Sequence, residues 1–246
     1  MRERKLRPWV TGAVASVALG AHCSGTPIYL VVGEGGDASA DGSPVDGSRT
    51  NDGALADGRV VRGPFATRVV SFDPGPGAGF GQDHMPDVVL GPPVGAGDMM
   101  GGTDVVSLGR NGRICLAFDD VDIVDGPGAD FIVFENPFYA AGTATTWAEL
   151  GEVSVSFDGV AFVTYPCQTM GPPYPGCAGW TPVYSRPGGI SPSDVTNAGG
   201  DAFDLATVAL PRVRYVCVRD LATHPIASPA TGFDLDAIAA VNYAPP

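Results

Sequence analysis

From Val60 to the end of the chain, short apolar segments are cut off from one another by Gly, Pro and Asp before any helical period can establish itself. That punctuation restricts the fold more than any other feature, because an interior Gly or Pro destabilises a helix by about 1 or 3 kcal/mol respectively. The chain of 246 residues holds 35 Gly and 23 Pro, nearly a quarter of its positions. The glycines follow no three-residue period, so a collagen-like triple helix is excluded. With 44% hydrophobic residues the sequence still carries enough apolar surface for a substantial core.

The segments at 67–72, 87–90, 105–108, 113–118, 131–134, 153–157, 160–165, 213–218 and 238–243 are strand-length and mostly rich in β-branched or aromatic residues. In the clearest unit, Val153, Val155 and Phe157 alternate with Ser154 and Ser156 ahead of Asp158-Gly159, which predicts a two-residue hairpin with one wet face. Many short strands with turn chemistry between them predict an all-β fold, an antiparallel β-sandwich of jelly-roll type with long Gly/Pro-rich loops, over residues 60–246.

The first residues read differently. Arg2, Arg4, Lys5 and Arg7 precede an uncharged, largely apolar run from Pro8 to Ala21, the pattern of a signal peptide at 1–22. The run is too short for a spanning helix, which needs about 20 residues. Cys23 directly follows the 1–22 segment, where bacterial lipoproteins carry their acyl chains, although His22 stands where a small residue is usual. The alternatives are lipidation at Cys23, with the membrane contacted only through that anchor, or ordinary cleavage after Ala21. Residues 23–59 predict a flexible acidic tether: Gly, Asp, Ser and Ala dominate, and Asp-Gly pairs recur at 41–42, 46–47, 52–53 and 57–58. The short apolar run at 28–32 has no explanation in this scheme.

Four further cysteines remain. Cys115 and Cys217 lie mid-strand, whereas Cys167 and Cys177 bracket a loop containing Pro172, Pro173 and Pro175. Of three possible pairings, only Cys115–Cys217 with Cys167–Cys177 joins like environments.

Acidic residues outnumber basic ones 27 to 14, which opposes phosphate backbones and excludes nucleic acid as a partner. No Gly-x-Ser-x-Gly elbow, phosphate loop or dinucleotide glycine fingerprint occurs. His22, His84 and His224 are too few for a histidine-based zinc site without added acids. Chemistry therefore falls to carboxylates. Glu135, Glu149 and Glu152 lie close in sequence and could supply the two carboxylates of a glycosidase, although nothing in the sequence fixes their separation. Calcium is the stronger use, since it takes six to eight oxygens from carboxylates, amides and carbonyls that loops bring together. The expected ligands are Glu135, Asn136, Asp201, Asp204, Asp234 and Asp236, with Asp234 and Asp236 on one face of a strand. The alternative is that each acid caps a strand or fills a turn. Asp119, Asp120 and Asp122 read as an exposed run.

The strings Val-Asp-Gly-Pro-Gly-Ala-Asp-Phe-Ile-Val-Phe-Glu-Asn-Pro-Phe at 124–138, Glu-Val-Ser-Val-Ser-Phe-Asp-Gly at 152–159, Ala-Gly-Trp-Thr-Pro-Val-Tyr at 178–184, Ala-Gly-Gly-Asp-Ala-Phe-Asp-Leu at 198–205 and Gly-Phe-Asp-Leu-Asp-Ala-Ile at 232–238 resemble a family of bacterial cell-surface lipoproteins of unknown function. The resemblance spans roughly residues 65–243 and implies an exported, surface-held β domain, lipid-anchored or secreted; it transfers no catalytic residue. Two functions follow as expectations. One is a calcium-stabilised domain that binds a glycan or a protein through Trp147, Tyr174, Trp180 and Tyr184, aromatics in Gly/Pro-rich stretches that would otherwise pack in the core. The other is a secreted hydrolase using Glu135, Glu149 or Glu152. Binding is the preferred reading.

Overall fold

The computed structural model describes residues 63–139, 146–223 and 232–246. The expected signal peptide at 1–22, the tether at 23–59, the run at 28–32, Cys23 and His224 lie outside the described residues. Strands dominate and the only helical elements among the described residues are three short 3-10 turns, so the fold is all-β.

The largest sheet has six antiparallel strands. Arg68–Asp73, Arg113–Ala117, Tyr215–Asp220, Gly151–Ser156 and Cys177–Ala178 follow in that order, and Val163–Thr164 also pairs with Gly151–Ser156. Asp201–Phe203, Phe131–Phe134 and Ala237–Ala240 form a three-stranded sheet, as do Arg212–Val213, Asp122–Val124 and Tyr243–Ala244. Two further pairs, Val106–Ser107 with Asp234–Leu235 and Phe138–Tyr139 with Thr146–Trp147, complete the set. The sheets outside the first are small and separate, because few apolar runs escape a Gly or Pro for more than four residues.

Burial explains which segments form strands. Ile114 and Leu116, Val153 and Val155, and Val216 and Val218 point from the large sheet into one cluster with Phe131, Val133, Ile123, Phe233 and Leu235. Ile132 and Phe134 face a second cluster with Val183, Ala198, Ala237 and Ala239. The Phe131–Phe134 strand is thus buried on both faces, which its unbroken apolar run requires. Cys115 and Cys217 are register partners on adjacent strands, bonded to each other, on the face turned away from the main cluster. Cys167 and Cys177 are bonded across their loop.

Several local expectations are corrected. Residues 87–90 are not a strand: Asp87–Val89 is a 3-10 turn that buries Val88 and Val89. Asp158-Gly159 does not close a two-residue hairpin, because Val155 pairs with Val163 and leaves a longer loop. Asp158 instead gathers that loop, its Oδ1 accepting from the Ser156 hydroxyl and from the Val160 and Ala161 amides. Phe157 turns outward beneath Arg212 and Arg214, whose guanidinium carbons lie 6.0 and 5.3 Å from its ring centre. The run at Asp119, Asp120 and Asp122 is not uniformly solvated. Asp122 is fully buried and paired with both Arg212 and Arg214, while Asp119 binds Arg68 and Thr67.

Candidate functional site

Three consecutive backbone amides gather the acids. Gly232, Phe233 and Asp234 donate in turn to Glu149 Oε1 at 2.9 Å, Asp220 Oδ1 at 3.0 Å and Glu135 Oε1 at 3.3 Å. Glu135 enters from the end of the Phe131–Phe134 strand and Glu149 from just before Gly151–Ser156. Asp234 pairs in register with Ser107. Carboxylate oxygens of Glu135, Glu149 and Asp234 all lie within 4.8 Å of one another, an arrangement that can hold a metal ion.

The site is largely buried and short of donors. Glu135 is 2% exposed and Glu149 4%. Glu135 Oε2, Asp234 Oδ1 and the Ser107 hydroxyl are buried with no well-formed hydrogen bond, although a buried polar atom left unpaired costs about 1–3 kcal/mol. Burial pushes the Glu135 carboxyl well above the usual range, and the charges of Asp234 and Glu149 push it further. Burial likewise raises Glu149 to about 7 against the pull of the Gly232 amide, with Asp234 and Asp220 adding to the rise. Asp234 is raised to about 6, again by burial first, with the neighbouring Ser107 hydroxyl drawing it back. Such a group is satisfied either by protons or by a cation. The donors are all oxygen, which suits a hard divalent ion and not one that prefers thiolate or imidazole.

Of the six expected calcium ligands, only Glu135 and Asp234 meet. The Asn136 amide nitrogen donates to the Gly102 carbonyl at 2.7 Å. Asp236 accepts from the Val94 amide at 3.0 and 3.1 Å, and burial raises its carboxyl to about 8. Asp204 caps the Leu205–Val208 turn and belongs to a second acidic group with Asp125 and Asp130. In that group Asp130 is engaged by the Gly126 and Leu205 amides and by the Asn242 side chain, as a tie between loops. Glu152 is apart from the trio and bonds Arg219. The exposed His84 lies 3.7 Å from Asp83.

Asp201 has a different task. Its Oδ2 accepts from the Gly179 and Trp180 amides at 2.7 and 2.9 Å, and its Oδ1 from the Thr181 hydroxyl at 2.7 Å. It thereby fixes the backbone of Trp180, whose ring meets Tyr174 edge to face with centres 5.4 Å apart. Both rings border a cleft of about 440 Å³, which Thr146, Ala148 and Leu150 also line. Of the other expected aromatics, Trp147 is partly exposed on its short strand, and Tyr184 lies against Gly97. Glu149, between Ala148 and Leu150, ties the acidic site to the cleft wall. Sequence reasoning named Glu149 only as a catalytic candidate and missed Ser107 and the cleft's threonines, for which no spacing signal exists.

Gly179 sits between the two sites with φ of 89°, and a Cβ there would lie 2.1 Å from the Glu149 carbonyl oxygen and 3.0 Å from the Phe233 ring. Gly179→Ala should therefore destabilise the domain by at least about 1–3 kcal/mol, the cost of the left-handed conformation alone, and urea titration measures it. No protein-family model matches the chain, and no curated protein matches it.

Proposed function

We propose that residues 60–246 form an exported, surface-held domain, a sandwich of jelly-roll type with a fragmented second layer, which takes one calcium ion and binds a glycan or protein partner. The observation that carries the metal is the trio Glu135, Glu149 and Asp234 with its orphaned oxygens: a calcium ion would join Glu135 Oε2, Asp234 Oδ1 and the Ser107 hydroxyl, and offset the repulsion among the carboxylates. The basic and apolar N-terminal run supports export, and Cys23 supports a lipid anchor. The hydrolytic alternative loses support, because the burial of Glu135 and Glu149 bars a glycosidic bond from reaching them.

Metal content and melting temperature test the reading. Purified protein should contain about one calcium, and a hundredfold excess over the dissociation constant should add about 2.7 kcal/mol. For a domain of this size that is a rise of about 5–10 °C over the chelated form. Glu135→Gln and Asp234→Asn should abolish the rise, whereas Asp204→Asn and Asp236→Asn should leave it. Identical melting with calcium and with chelator, and no bound metal, would overturn it.

A further inference from the structure

We infer that the cleft between the Cys167–Cys177 loop and the segment 146–150 is a binding site for an uncharged saccharide, with a sugar ring stacked on Trp180 or Tyr174 and its hydroxyls meeting threonine hydroxyls. The inference deepens the proposed function by naming its ligand, and rests on that reading for the role of a surface binder. The lining is the first argument. The chain carries a formal net charge of −13, yet among the described residues no charged side chain lines this cleft. Among the described residues its polar side chains are Thr146, Thr169 and Thr223, with the Tyr174 phenol and the Trp180 indole.

A hydroxyl donates one hydrogen bond and accepts others, as does each hydroxyl of a sugar, so a ring of threonines can match a neutral polyol without a charge. Thr223 Oγ1 already accepts from the Leu150 amide at 3.3 Å, which leaves its own proton to be donated elsewhere. The aromatic rings supply the apolar surface that a sugar's C–H face needs, and the volume falls in the usual range for small-molecule sites of about 300–1,000 Å³.

Rigidity is the second argument. Thr169, Pro172 and Tyr174 lie inside the loop closed by Cys167–Cys177. Tyr174 itself holds a left-handed backbone with φ of 49°, a conformation that a bulky residue adopts only where its surroundings impose it. Its amide donates to the Gly171 carbonyl, and its carbonyl accepts from the Cys177 amide. Beside Tyr174, Asp201 pins the Trp180 backbone. A loop and a backbone segment held this way lose little entropy on binding, which is what a site for a weakly interacting neutral ligand requires.

The test is titration of the purified chain, in saturating calcium, with neutral gluco-, manno- and chito-oligosaccharides and with uronate and sialylated oligosaccharides, read by calorimetry and tryptophan fluorescence. Saturable binding of at least one neutral series is expected. Trp180→Ala and Tyr174→Ala should each weaken it about tenfold or more, and Thr169→Val should weaken it with an unchanged melting temperature, so that a fold defect in an aromatic variant does not decide the matter. No saturable binding to any neutral series overturns the inference, as would equal binding by the acidic series or full binding by Trp180→Ala and Thr169→Val; a protein ligand would then be left. Trp180-dependent binding supports the site whether or not calcium raises the melting temperature of the same samples, so loss of the metal reading and loss of this one are told apart.

Discussion

Replacing Cys115 and Cys217 together by alanine should cost the domain about 4–5 kcal/mol. The two residues face each other in the register of adjacent strands, with Cα atoms 4.0 Å apart and 102 residues between them in sequence. Strand pairing already holds these positions together in the native state. The bond therefore acts mainly on the unfolded chain, where it forbids the opening of a very large loop. Cys167–Cys177, with a separation of 10, closes a small loop, for which the same reasoning gives about 2–3 kcal/mol. Urea midpoints of the two double variants should keep that order. Loss of Cys167–Cys177 should also loosen the Tyr174 loop while the large sheet persists, visible as protease cuts confined to 167–177. Equal losses, or the reverse order, would mean that the pairing acts through native-state packing and not through the unfolded chain.

The particular elements show where a sequence of this kind is legible. The strand Phe131–Phe134 was readable to the residue, because Asp130 and Glu135 bound a continuous apolar run that must be buried on both faces. Gly151–Ser156 was readable from its alternation. The segment at 87–90 has strand-like composition, but Pro86 before it and Pro92 and Pro93 after it leave too little chain for a ladder, and burial of Val88 and Val89 is met by a single 3-10 turn. Phe157 continues the alternation in sequence and breaks it in space, since the strand has ended and two arginines offer its ring a place outside.

The acids failed for a related reason. Asp234 and Asp236 share a face only if one strand runs through both. In fact Asp234–Leu235 pairs with Val106–Ser107, Ala237–Ala240 pairs with Phe131–Phe134, and the chain changes partners at Asp236. Asp236 is consequently turned to the Val94 amide. Glu149, named in the sequence as a catalytic candidate and not as a metal ligand, is brought in by the Gly232 amide 83 residues away, a register that no local spacing encodes. Glycine, aspartate and aromatic strings thus marked the right segments without marking which side chains converge.

The convergence of Glu135, Glu149 and Asp234 gives the last expected result, a change of sign in the pH dependence of stability. Without metal, each of these carboxyls has a folded pKa above its unfolded value, so the folded state holds protons more tightly than the unfolded state. The stability this contributes is complete below about pH 4 and is lost as pH rises through about 6 for Asp234 and about 7 for Glu149, and Glu135, also raised by burial, acts in the same direction. Asp236, near 8, acts in the same direction through its own burial. The carboxyls held below their usual range, Asp119, Asp158 and Asp194, act in acid, outside this window. In chelator the domain should therefore melt higher at about pH 5 than at pH 8, by several kcal/mol of stability. A bound calcium reverses the preference, because it favours the ionised carboxylates and must compete with protons for them. The stabilisation by calcium should accordingly be small at about pH 5 and largest at pH 8. Glu135→Gln removes a fully buried member of the trio, so it should both flatten the slope in chelator and erase the response to calcium, while Asp236→Asn should flatten the slope and leave the response. A melting temperature that rises from pH 5 to 8 in chelator would show that these acids are not held in a dry, repelling cluster, and a calcium effect independent of pH would place the ion elsewhere.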